Sequence, residues 1–554
     1  MESTVEILKQ CEENGTAPKY VVQDDTYRKE KFKLFKKYLP IRTDPVKYES
    51  KNEEIFVVSD LHIASGRDEA GVYPGTENFF ADDSFKRFLE FANKNKQSAK
   101  ALLIINGDIF DFLRITEYPG KGRKYRTLRK VKYLFKGKIL KDIKPTKDSV
   151  DKEFEQWSEE LSKIGIEYST EKLELSISKK EKRFGLKTDP FKTIYKLMLI
   201  KDGHSEFFKA LADWLNSGNK IIIVKGNHDL ELYWREVRNY LRLILAEEIK
   251  KRNSQNDLGN ILIDLVLPNI TFIDDSVEID KEFYVEHGHR YDKFCAVLDN
   301  PVLKKDSTQL NIPFGSFFNR YLLNRVELFY PFLDNVRPSA NVLPVLMREN
   351  FPLGLKVLFH HLTALFFLLF KNFRYLWFML RKVILFILAI ALPIFGLYIV
   401  NSDSVTKFLK DISEFFDQSG TVGFVINQVK NVIMIFLSYL LTRLAAWFQL
   451  AEPSSLNEFA KKRVEGTNYK IMTMGHTHNP GEYLFNKNKR FYNTGTWIPI
   501  IENSTADIRE DKTYTFLHLK RDKNNKLFPA ENNLIQRWND DAGRGEDLVL
   551  VKRK

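Results

Sequence analysis

Five short polar clusters follow one another along the chain: SDLH at 59–62, NGDIFD at 106–111, GNHD at 226–229, HGH at 287–289 and GHTH at 475–478. Asp, Asn and His hold borderline divalent cations through oxygen and imidazole nitrogen, and Cys is absent from every cluster, which argues against a structural zinc site. The donor types point to hard-anion chemistry, above all on phosphate. Singly, the clusters differ in weight. Asp-x-His recurs by chance, and Gly-Asp after a strand is commonly a tight turn. GNHD and GHTH are sharper, because glycine permits a bend from which Asn and His project. The recurrence of all five, in order, outweighs a reading of them as ordinary turns.

Each cluster lies at the end of an apolar run: IFVV, ALLII, IIIV, FYV and YKIM. These runs are short and β-rich, as expected of strands buried on both faces of a sheet. The clusters then sit at strand carboxyl ends, the edge at which open α/β sheets bind ligands, so residues far apart in sequence can converge. The expected fold class is α/β.

The order and content of the clusters resemble the calcineurin-like metallophosphoesterase superfamily, whose signature is D-x-H, GD, GNH-D/E, H and GHxH. The match covers residues 51–300 and 455–520. The resemblance implies a two-sheet sandwich flanked by helices, with two divalent metal ions at the strand ends. Carried over position by position, Asp60, His62 and His478 would hold one metal, Asn227, His287 and His476 the second, and Asp108 would bridge both. His228 would face the substrate, stabilising the phosphoryl charge or protonating the leaving oxygen, and Asp229 would orient it. The superfamily uses the first His of the HGH element, which leaves His289 either behind the ligands, supporting them, or substrate-facing, beside Arg290, a candidate phosphate contact. Two cations about 3.5–4 Å apart would lower the pKa of a bridging water and offer a metal-bridging hydroxide in line with phosphorus. Mn²⁺ is the expected metal, with Fe and Zn as alternatives. Within the superfamily the local look is nearest the UDP-2,3-diacylglucosamine hydrolase type, through GDIFDF at 107–112, GHTHNP at 475–480 and the NTGTW ending at Trp497. GNHD departs from that type, which commonly carries Arg at the position of His228.

The remaining length needs an account, because 554 residues exceed one ordinary core. The expected organisation is an N-terminal extension 1–50, a catalytic domain 51–300 and 455–520 with a basic helical insertion 120–190, an apolar helical insertion 301–454, and a polar tail 521–554. No motif marks the extension or the tail. The two cysteines, Cys11 and Cys295, cannot form a disulfide framework, and MESTVEILKQ lacks the apolar stretch of a signal peptide. The catalytic part is expected to face the cytoplasm.

The apolar insertion contains VILFILAIALPIFGLYIV, residues 383–400, without one charge. As a helix it spans about 27 Å, close to the hydrocarbon thickness, with Tyr375, Trp377 and Tyr398 where interfacial aromatics would sit. Since the metal-ligand candidates lie on both sides of the insertion, the chain must cross an even number of times. Residues 420–442 offer a return, weakened by Lys430. Lys371, Arg374, Arg381, Lys382, Arg443, Lys461, Lys462 and Arg463 crowd the outer flanks, in keeping with the positive-inside rule. A two-pass hairpin, monotopic embedding and soluble packing all stay open.

A basic stretch at 121–144 accounts for much of the net charge of +13. Nucleic acid and anionic lipid would both be attracted to it, and lipid is the simpler partner beside an apolar insertion; no nucleic-acid partner is expected. His204 reads as a helix cap or a surface residue, and Lys225 as a solvated cation. The functional expectation is two-metal hydrolysis of a phosphoester or pyrophosphate in an amphipathic, lipid-linked substrate at a membrane. A membrane-tethered phosphodiesterase or phosphatase for a soluble nucleotide is the alternative enzyme, and a non-catalytic metal-binding scaffold is the alternative from another class.

Overall fold

The computed structural model describes residues 4–13, 44–120, 147–327, 335–337 and 456–548, together with isolated positions between 347 and 428. Residues 51–52, 69–70, 253–256, 293–294, 298–299, 304, 487–488, 503–508, 523 and 528–534 are excepted. Two compact units are distinguished, Met1–Val345 with Glu452–Lys554, and Leu346–Ala451. Residues 301–345 fall in the first unit.

The first unit is mixed α/β with two multi-stranded sheets. In the larger, seven strands run in the order Arg544–Asp547, Ile535–Asn539, Thr515–Leu519, Glu54–Val58, Ala101–Asn106, Lys220–Val224 and Ile270–Ile273. The last four are parallel, and the three C-terminal strands join them antiparallel. The smaller sheet has six strands, ordered Val46–Tyr48, Ser276–Ile279, Phe283–Glu286, Ile471–Met474, Lys489–Asn493 and Gly481–Asn486. The segments 1–50 and 521–554, which carry no motif, thus each supply strands: Val46–Tyr48 pairs with Ser276–Ile279, and two strands beyond residue 520 extend the larger sheet.

Alternation along the central strands explains the layering. Ile55, Val57, Leu102 and Ile104 share a core with Val277, Ile279, Phe283 and Val285, so the two sheets face each other. The intervening residues Phe56, Val58, Leu103 and Ile105 pack on helices Asp82–Asn95, Ser205–Asn216 and Arg235–Arg252. Each such fully buried aliphatic or aromatic side chain stabilises the fold by about 1.5–3 kcal/mol. On the outer face of the smaller sheet, Tyr284, Met472 and Phe491 meet helix Asn457–Val464. Arg463, counted from sequence among the flanking cations, lies in that helix and donates to the Tyr284 hydroxyl at 2.7 and 3.0 Å.

Among the described residues no helix is long and apolar enough to cross a membrane. Residues 121–144, 360–400, 420–427 and 429–442, which carry the basic stretch and the span expectations, lie outside the described residues.

Candidate metal centre

All five clusters follow strands directly: Asp60 and His62 after Glu54–Val58, Asp108 after Ala101–Asn106, Asn227 and His228 after Lys220–Val224, His287 after Phe283–Glu286, and His476 and His478 after Ile471–Met474. The loops are zipped to one another through the backbone. Asp60 and His62 donate their amides to the carbonyls of Gly107 and Asp108, at 3.1 and 2.8 Å, and Gly475 donates to His287 at 3.0 Å. Asp60, His62, Asp108, His476 and His478 all adopt positive φ, between 50° and 68°. Each such non-glycine residue costs on the order of 1–3 kcal/mol, a strain that concentrates at functional sites. Two glycines are required by close approach: a Cβ on Gly226 would fall on the Asp108 carboxylate, and one on Gly475 on that of Asp60.

The donor atoms converge in overlapping groups, Asp60–His62–His478, His62–Asp108–His228 and Asp108–His287–His476, each with its ligand atoms within 4.8 Å. Asp60 Oδ1 lies 3.2 Å from His478 Nε2, 3.9 Å from His62 Nε2 and 4.0 Å from His287 Nε2. Asp108 Oδ2 lies 3.0 Å from His287 Nε2 and 3.8 Å from His62 Nε2, so this carboxylate stands between the first and third groups. His62 Nε2 and His478 Nε2 are 3.0 Å apart. The carboxylates are aimed by backbone donors: His228 N–H donates to Asp108 Oδ1 at 2.8 Å, and His476 N–H to Asp60 at 3.1 Å.

These residues suit a divalent cation. His287 donates from Nδ1 to the Asn106 carbonyl at 2.8 Å, which turns the buried Nε2 toward the Asp108 carboxylate 3.0 Å away and, in the neutral ring, leaves the lone pair there for a cation. Asn227 Oδ1 is buried without a hydrogen-bond partner among the described residues. An orphaned buried acceptor costs about 1–3 kcal/mol, and a cation removes that cost at Asn227. The donor set is oxygen and imidazole nitrogen. Buried Asp and His groups of the site could therefore hold metal.

The electrostatics have the same sense. Burial pushes the Asp60, Asp108 and Asp111 carboxyls up, but the surrounding imidazoles outweigh it and hold all three below the usual carboxylate range. Burial opposes protonation of His62 and His287, yet the carboxylates lift them to about 10 and about 9. The cluster thus draws positive charge, which protons or divalent cations can supply. His289 is pushed well down, by burial and by His287 and His476.

The remaining expected residues fall as follows. His228 is held by Asp111, whose Oδ2 accepts from Nδ1 at 2.7 Å. Asp229, assigned that task from sequence, instead accepts from the backbone: Gly226 N–H at 2.6 Å and Ile109 N–H at 2.9 Å. Its carboxyl is pushed up to about 7 by burial and by Asp108. Asp229 therefore braces the GNHD bend against the NGDIFD loop. Asp111 lies inside the NGDIFD cluster, but nothing in its spacing distinguished it. Arg290, the candidate phosphate contact, is directed to Asp275 at 2.6 Å and Glu286 at 3.5 Å. Lys225 pairs with Asp274 at 3.2 Å rather than standing in solvent. The His289 ring packs 5.5 Å from that of His287, with a buried Nδ1 that has no hydrogen-bond partner among the described residues. His204 is buried, its two nitrogens facing Asp82 at 2.9 Å and Glu77 at 3.3 Å.

Two segments support the site in roles that the sequence did not indicate. The NTGTW segment bolts the Asp60 loop in place, Thr496 Oγ1 donating to the Asp60 carbonyl at 2.7 Å and Trp497 N–H to the same oxygen at 3.3 Å. The segment 314–327 reaches back to the GNHD loop, Ser316 Oγ donating to the Asn227 carbonyl at 3.2 Å, and Glu327 forms a buried ion pair with Arg114. No family model, curated protein or solved structure matches the chain.

Proposed function

We propose that the chain is a two-metal phosphoesterase of the calcineurin-like type, hydrolysing a phosphoester or pyrophosphate bond in an amphipathic, lipid-linked substrate at the cytoplasmic face of a membrane. The observation that carries this reading is the convergence of Asp60, His62, Asp108, His287, His476 and His478 from four strand ends, with a buried Asn227 Oδ1 beside them that has no hydrogen-bond partner among the described residues. Asp60, His62 and His478 would hold one cation and Asn227, His287 and His476 the other, with Asp108 shared. Bound cations, Mn²⁺ in the first instance, would supply Lewis acidity toward phosphoryl oxygens and activate water as nucleophile.

The chain's own residues do the rest. His228 is raised in pKa: burial opposes its protonation, but Asp111 and Asp108 more than offset this. With Nδ1–H held by Asp111, Nε2 is the nitrogen left to donate to a phosphoryl or leaving-group oxygen. Asp111 thereby fixes both the tautomer and the ring plane. The backbone contacts to Asp60 and Asp108 keep these carboxylates aimed before substrate arrives, so little reorganisation is needed during turnover. The membrane part of the reading is supported by the apolar sequence at 383–400 and the basic run at 121–144.

The test compares cleavage of UDP-2,3-diacylglucosamine in mixed micelles with that of a water-soluble aryl phosphodiester, in detergent with Mn²⁺. Metal-dependent preference for the lipid is the expected result. Cleavage of the soluble diester alone would leave a phosphoesterase without a lipid substrate, and cleavage of neither would remove the reading.

A further inference from the structure

One more donor set converges beside the groups already used. Asp292, Cys295 and His476 each offer a ligand atom, all within 4.8 Å of one another. Asp292 is buried, and its Oδ2 lies 3.4 Å from His476 Nε2. Cys295 is half-buried and forms no disulfide. The amides of Cys295 and Ala296 both return to the Asp292 carbonyl, at 3.0 and 2.8 Å, a turn that brings residues 292 and 295 together. Neither residue belongs to the five clusters.

We propose that Asp292, Cys295 and His476 form a site for a thiophilic divalent cation, of which zinc is the type, and that this site shares His476 with the catalytic centre. Thiolate, imidazole and carboxylate are the three donor types that zinc takes from proteins. The adjacent groups offer only oxygen and nitrogen, so the softer thiolate gives the two places different metal preferences. Binding forms the metal–sulfur bond and releases the thiol proton to solvent, and the partial exposure of Cys295 lets the cation in and the proton out. His476 also belongs to the Asp108–His287 group. A cation seated on Cys295 therefore draws on a ligand of the catalytic centre, and zinc inhibits turnover. That inhibition, unlike the site, rests on the phosphoesterase reading.

The experiment uses full-length protein carrying Cys11→Ser, so that Cys295 is the only thiol. Cadmium is titrated in, and the ultraviolet charge-transfer absorption of a cadmium thiolate is followed. A saturable band is expected, lost on Cys295→Ser and shifted to higher cadmium by Asp292→Asn. Absence of the band, or a titration unchanged by Asp292→Asn, would overturn the site, since an isolated thiol needs no carboxylate. In parallel, zinc inhibition of aryl phosphodiester hydrolysis is measured, with relief by Cys295→Ser as the expected outcome. A band with no turnover under any metal condition defeats the phosphoesterase reading and leaves the cation site standing; turnover without a band does the reverse.

Discussion

His228 and its two acidic neighbours separate a role in chemistry from a role in structure. Asp111 holds the imidazole at 2.7 Å, whereas Asp229 holds two backbone amides. Asp111→Asn is expected to lower kcat by about 10²-fold or more with KM nearly unchanged, because the wrong tautomer of His228 becomes accessible. Asp229→Asn is expected to act chiefly on stability, costing about 1–3 kcal/mol in denaturant unfolding, since an amide cannot accept at both positions. Steady-state kinetics and urea melts on the pair check this; a larger kcat loss for Asp229→Asn would restore the sequence assignment. At this scale the metal-ligand candidates were legible because Asp, Asn and His recur after apolar runs. Asp111 was not, because a carboxylate three residues after Asp108 across a turn has no pattern of its own.

The elements that carry these side chains are tied together by buried charge. His204 closes helix Pro190–Gly203 and opens Ser205–Asn216, and its ring joins Glu77 and Asp82. Glu77 in turn accepts from the amides of Ala64 and Gly66, in the loop that follows SDLH. Burial disfavours the imidazolium, but Glu77 and Asp82 outweigh it and raise the pKa to about 9. A folded-state value above the unfolded one means that the stabilisation is full below about pH 6.5 and is lost as pH rises through about 9. Wild-type stability should therefore fall across that window by up to roughly 3 kcal/mol more than that of His204→Gln, read by urea unfolding at fixed pH steps. Parallel pH curves for the two would contradict the charged assignment. The Arg114–Glu327 pair makes the same point for the segment 314–327: both side chains are fully buried, and Glu327→Ala should cost about 3–5 kcal/mol by stranding the guanidinium. Unfolding curves that coincide with wild type would show that the segment is dispensable to the fold. Central strands such as ALLII were legible as doubly buried elements. Charge pairs such as His204–Asp82 were not, because a surface histidine and a buried one look alike until the neighbouring helix is placed.

At the scale of the whole molecule, the α/β class followed from apolar runs ending in polar clusters, but strand order did not. Thr515–Leu519 lies beside Glu54–Val58, and the polar tail supplies Ile535–Asn539 and Arg544–Asp547. These C-terminal strands are short, only Arg544–Asp547 stands at the sheet edge, and the pairing of Thr515–Leu519 with Glu54–Val58 across more than 450 residues leaves no local trace. The same long-range closure makes the site: residues 60 and 476 meet only when both sheets are formed. The measurement that tests the central claim most directly is a Mn²⁺ titration of chelator-stripped full-length protein, counting bound metal while following hydrolysis of an aryl phosphodiester. Turnover that appears only as a second Mn²⁺ binds, and that is absent in Asp108→Asn despite a wild-type circular dichroism spectrum, is the predicted result. Turnover independent of added metal, or retained by Asp108→Asn, would contradict a shared two-metal centre.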